Sequence, residues 1–153
     1  MRIKRLLGAL GALGALGALG VLVAAGSAFG EDTRQLVTMP APAQAALRQE
    51  MLGNLLAINE VTTLLAEGKL AEAGQLAEEK LGVASMGKHR TQPLEARPGA
   101  HMPAAMHEIG MAGHRAASDF ARAAAAGDRE QALARLPGLT AGCVACHHAY
   151  RLH

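Results

Sequence analysis

"AAMHEIGMAGHRAASDFARAAAAGDREQ", residues 104–131, decides the fold. Apolar or small residues recur at Met106, Ile109, Gly113, Ala116, Phe120 and Ala123, in steps of three and four. That rhythm is one face of an α-helix and not the alternation of a strand. Pro103 stands just before the run, where its missing backbone donor costs a helix nothing. Gly127 reads as the stop, and Asp128 as the N-cap of a further helix, with Gln131 three residues on as in a capping box. A turn this short predicts that the two helices are neighbours running in opposite directions.

The same punctuation extends in both directions. Residues 43–67 carry Met51, Leu55, Ile58, Thr62 and Leu65 at a spacing of 4, 3, 4, 3, and Leu52, Leu56 and Leu64 widen the stripe. Gly68 reads as the residue that ends this first helix. "KLAEAGQLAEEKL", residues 69–81, predicts a shorter second helix that stops at Gly82. Residues 83–100, "VASMGKHRTQPLEARPGA", read as an irregular connection broken by Pro93, Pro98 and Gly99. The fourth helix starts near residue 129 and runs to the C-terminus, and Pro137-Gly138 should kink or break it. No strand-like alternation occurs, so the expected fold is all-α, an antiparallel up-down four-helix bundle.

Residues 1–30 read as a signal peptide. Arg2, Lys4 and Arg5 form a positive n-region, "LLGALGALGALGALGVLVAAG" an uncharged apolar stretch, and Ala28 and Gly30 the −3 and −1 positions of a cleavage site. An uncleaved anchor is the competing reading, because the run approaches the ~20 residues that span a bilayer. Its glycine and alanine content argues against that. The expected mature chain is a single domain, residues 31–153, exported to the periplasm and free of the membrane. Without Arg2, Lys4 and Arg5, the fifteen basic residues fall to twelve against thirteen acidic ones, a formal charge of −1. No basic footprint for nucleic acid remains. Phe120 and Tyr150 are the mature chain's only aromatics, so its core is thin, and a large planar apolar cofactor would fill it.

The only two cysteines of the chain lie in "GCVACHHAYRLH", residues 142–153. Cys143, Cys146 and His147 occupy i, i+3 and i+4, and on a helix face one way. Four chemistries compete. A disulfide three residues apart closes too small a loop to gain much chain entropy. A thioredoxin-like dithiol belongs near a βαβ pattern, which is missing. A zinc site needs a fourth ligand, for which His148 and His153 stand near, and usually a second ligand pair. Covalent haem attachment needs what is present: two thiols for the two vinyl groups and an adjacent histidine for the iron. Gly110, Gly113, Ala116 and Ala117 on the third helix read either as close helix packing or, with a haem to house, as the wall beside a flat ring.

With "CVACHHAYR" on the last helix, "LRQEMLGNLL" on the first and "AAMHEIGMAGHRAASDFARAA" on the third, residues 31–153 resemble the cytochrome c′ family, the class II c-type cytochromes. The resemblance implies one haem c linked through Cys143 and Cys146, with His147 as proximal iron ligand. It puts Arg151, within the family's CxxCHxxYR ending, and the first-helix Arg48 near the haem propionates. It also implies periplasmic redox proteins as partners, and pairing into a homodimer through the first two helices.

Function then turns on the position opposite His147. The resemblance implies electron transfer where a first-helix methionine closes the iron, and binding of NO or CO where an apolar residue leaves it open. "RQEML" offers both, Met51 and then Leu52. Met39, Met106, Met111 and His107 are weaker rivals for the ligand; His89, His148 and His153 read as exposed, and His114 as lying on a polar face. The leading expectation is an electron-transferring c-type cytochrome with Met51 as sixth ligand. A five-coordinate NO- or CO-binding haem protein is one alternative, and a non-haem zinc-binding or scaffold module is the other. No paired carboxylates, nucleophile elbow or phosphate loop point to an enzyme.

Overall fold

The computed structural model describes residues 31–152. The signal-peptide reading of residues 1–30 and the terminal His153 lie outside them. The described chain is mostly helical: α1 (Ala41–Ala66), α2 (Leu70–Lys80), α3 (Ala104–Ala125) and α4 (Arg129–Ala149). Two strands of two residues each, β1 (Gln35–Leu36) and β2 (Tyr150–Arg151), pair in parallel in the register Gln35 to Tyr150 and Leu36 to Arg151. Sequence alternation over two residues is no signal, and this pair was not expected.

The helix ends follow local chemistry. Gly68 and Gly127 sit at φ of 78° and 74°, the left-handed conformation that closes α1 and α3 and that side chains disfavour. Asp128 caps α4 by accepting from the Gln131 backbone N–H at 2.9 Å. α1 begins two residues before the expected start, because Pro42 lies within its first turn, where no intrahelical donor is needed. Pro137 does not end α4: the helix is continuous from Arg129 to Ala149. Gly138 follows it at a close approach to α3, where a Cβ would lie 3.4 Å from that of Ala116, so tertiary packing supports the turn that proline weakens.

Sequential helices pack on one another, α1 on α2, α2 on α3 and α3 on α4, whereas α1 and α4 make hardly any close backbone approach. Val61, Leu65, Ala73, Ala77, Ala117, Phe120, Ala124, Ala132 and Leu139 form one buried cluster, in which Phe120 and Val61 are the largest fully buried side chains. Alanines fill most of it, and backbones approach closely in consequence: a Cβ on Gly74 of α2 would lie 2.6 Å from the Ala124 Cβ. Ser118, buried on α3, accepts from the Val83 N–H at 2.9 Å and so ties the end of α2 to α3.

Two expectations about helix faces need correction. On α1 the buried positions are Ala43, Leu47, Ala57, Val61 and Leu65; Met51, Ile58 and Leu64 are half-buried, and Leu52, Leu55, Leu56 and Thr62 are exposed. Apolar residues cover so much of this helix that periodicity alone left the face undetermined. On α3 three of the four small residues serve close packing, while Gly110 faces open space, where a Cβ would meet nothing within 4 Å. Gly113 lies against Gly142 of α4, Ala116 against Gly138, and Ala117 is buried in the alanine-rich cluster.

Candidate functional site

A second buried cluster, distinct from the first, sits where the segment before α1 meets the end of α4. Val37, Met39, Ala43, Leu47 and Met106 are buried in it, with Met51, Met102, Cys146, Tyr150 and Leu152 packed against them. α4 thus carries Cys146, and α1 carries Met51, to a single apolar patch. Leu52, the neighbouring candidate, is 59% exposed and outside the cluster.

Both cysteines are free thiols, Cys143 exposed and Cys146 half-buried. Burial pushes the Cys146 thiol up from its ordinary value, and the neighbouring Cys143 adds to the effect. His147 is exposed on the last turn of α4. Its backbone carbonyl accepts from Arg34 Nη1 at 3.2 Å. With about 100° of rotation per residue, Cys143 and His147 lie on the flank of α4 away from Gly138 and Gly142, the residues pressed against α3. By the same geometry Leu55 and Leu52 flank Met51 on the side of α1 away from Glu50. Glu50 is bound to the 83–100 connection through Lys88 Nζ at 2.9 Å and His89 Nε2 at 3.2 Å. Leu52, Leu55, Leu56 and Val144 are large apolar side chains left in solvent on these two helices.

The site is therefore two exposed apolar flanks and not a closed chamber. Two open depressions, of about 470 and 330 Å3, border residues of the 79–91 segment and are not lined by either cysteine. Among the described residues no group of three or more His, Cys, Asp or Glu side chains is arranged to hold a bare metal ion. A porphyrin makes no such demand, since it brings its own four nitrogen ligands and asks the chain for axial ones alone. An exposed thiol at Cys143, a half-buried one at Cys146 on the edge of the apolar cluster, a histidine beside them and uncovered apolar residues nearby fit a flat apolar group with two reactive edges.

The remaining sequence candidates fall in different places. Arg48 is exposed one turn before Met51, and its Nη2 donates to Gln44 Oε1 at 3.4 Å within α1. Arg151 is half-buried in β2. Met39 and Met106 are buried in the same cluster as Met51, whereas Met111 and His107 are not part of it. His148 is exposed, as expected. His89 is not: it is half-buried against Glu50. His114 is no polar-face residue either, because its Nδ1 lies 2.7 Å from the Leu81 carbonyl, to which it donates, at the end of α2. Sequence reasoning missed Arg34, Val37 and Glu50. Only their partners, more than thirty residues away, reveal them.

No helix among the described residues is long and apolar enough to cross a membrane. Comparison with protein-family models, with curated proteins and with solved structures found no match for this chain.

Proposed function

We propose that the chain is an exported c-type cytochrome that carries electrons between periplasmic redox proteins. One haem c is joined by thioethers to Cys143 and Cys146, His147 is the proximal iron ligand, and Met51 is the sixth. Bound there, the group supplies an iron that changes by one electron between ferric and ferrous states. The chain's own contribution would be to hold His147 on α4 and Met51 on α1, to lend the exposed apolar surface of Leu52 and Leu55, and to exclude water at the Met39, Leu47 and Met106 end. The fold that goes with this reading is an antiparallel up-down bundle. The three-residue turns around Gly68 and Gly127 and the packing of sequential helices support it, and the group would lie beside α1 and α4, whose backbones make hardly any close approach.

The observation that carries the reading is the shared cluster: Met51 and Cys146, 95 residues apart in sequence, pack against one buried apolar cluster. A thioether in apolar surroundings favours the ferrous state and raises the potential. Leu52, mostly in solvent, is the poorer cap for the iron. The test is the absorption spectrum of protein expressed with a haem-attachment system. A low-spin ferrous spectrum that ignores CO supports electron transfer. A high-spin spectrum that shifts with CO would replace it with the gas-binding reading, and protein that takes up zinc but shows no Soret band would replace both.

A further inference from the structure

The segment ahead of α1 is tied to the end of α4 in three independent ways. Gln35 and Leu36 pair with Tyr150 and Arg151, and the Val37 N–H donates to the Arg151 carbonyl at 2.9 Å. Val37 and Met39 are 3% and 4% exposed, buried in the cluster against which Cys146 and Tyr150 pack. Arg34 Nη1 donates to the His147 carbonyl at 3.2 Å. A parallel ribbon of two residues a side has no stability of its own, so the buried anchors hold it. The last turn of a helix leaves carbonyls without intrahelical donors, and a cation there both satisfies them and offsets the negative end of the dipole.

We propose that residues 34–39 are a positioning strap for the ligand-bearing end of α4. Arg34 fixes the His147 backbone, and Val37 and Met39 close the apolar floor beneath Cys146. None of the three touches the iron in this reading; they act through His147 and Cys146. The firmness of the proximal bond, and with it the balance between the two iron states, is then set by residues more than a hundred positions upstream. This inference rests on the haem reading above.

The test uses the haem-loaded full chain and four variants. Arg34→Ala removes the donor to His147, Arg34→Lys retains a cation, and Val37→Asn opens the floor. Leu65→Ala lowers stability from the other cluster and serves as the structural control. Arg34 is exposed, so its variants fold even where Val37→Asn does not. In Arg34→Ala and Val37→Asn, the amide of Val37 exchanges with solvent at least tenfold faster and the reduction potential shifts. Arg34→Lys recovers part of that shift, and Leu65→Ala lowers the melting temperature with the potential unchanged. If Arg34→Ala and Val37→Asn behave as Leu65→Ala does, the strap is structural only and the inference fails while the haem reading stands. A wild-type protein without a Soret band overturns both.

Discussion

Met51→Ala and Met106→Ala remove the same side chain from the same apolar cluster, yet the account gives them opposite signatures. Truncating a fully buried methionine to alanine costs about 2–5 kcal/mol, through lost transfer energy and the cavity left behind. Met106 is 6% exposed and should lie within that range. Met51 is half-buried, so its packing loss is about half as large, ~1–2 kcal/mol. Packing alone therefore makes Met106→Ala the more damaging change. Ligation reverses the order for the iron: Met51→Ala should turn a low-spin spectrum high-spin and open the site to CO, whereas Met106→Ala leaves the spectrum as it was. Urea titration followed by far-UV circular dichroism gives the stabilities, and absorption with and without CO gives the coordination. An unchanged spectrum in Met51→Ala, or conversion in Met106→Ala, refutes the assignment of the sixth ligand whatever the stabilities are.

Glycines at helix contacts should respond with opposite sign. Gly74→Ala forces a Cβ to 2.6 Å from Ala124 and 3.2 Å from the Ala121 carbonyl, and should destabilise by about 1–3 kcal/mol in thermal unfolding. Gly142→Ala places its Cβ at 3.5 Å from the Gly113 Cα and the Ile109 carbonyl, an ordinary contact, so it should gain up to about 1 kcal/mol from reduced backbone entropy. Asp128→Ala removes the acceptor for the Gln131 N–H and should cost about 0.5–2 kcal/mol, with Asp128→Asn nearly neutral; equal losses in the two would argue against the cap. In the reduced, haem-free chain, alkylation should reach exposed Cys143 before Cys146. Burial raises the Cys146 thiol, so fewer of its molecules are thiolate at a given pH. The lag should shrink as pH climbs above the ordinary thiol range and vanish in denaturant. Because folding raises that thiol, the haem-free chain also loses stability as pH rises through it. A lag that persists in denaturant would assign the difference to the local sequence and not to the fold.

What could be read from the sequence was local chemistry. Gly68, Gly82, Gly127 and the Asp128–Gln131 pair mark helix ends by rules that act over four residues, and the helices end where those rules put them. The face of α1 could not be read the same way. With leucines at 47, 52, 55, 56, 64 and 65, its apolar arc is wide, and which part is buried depends on where α2 and the 83–100 connection sit. At Pro137 a break was the wrong half of the expectation, for the opposite reason: proline's local penalty is met by close packing of the next residue, Gly138, on α3. At the candidate site, Cys143, Cys146 and His147 announce themselves by spacing. Arg34, whose partner is the His147 carbonyl, and Glu50, whose partners are Lys88 and His89, carry no signal until the chain is folded.

The central claim is that Cys143 and Cys146 hold a covalent haem. The most direct measurement is the intact mass of the chain after export in cells that attach haem, alongside peroxidase staining of a denaturing gel. One haem added to the mass, staining that survives denaturation, and loss of both in Cys143→Ser with Cys146→Ser are the predicted results. A chain that leaves the gel unstained, with two free thiols and no added mass, would contradict the account.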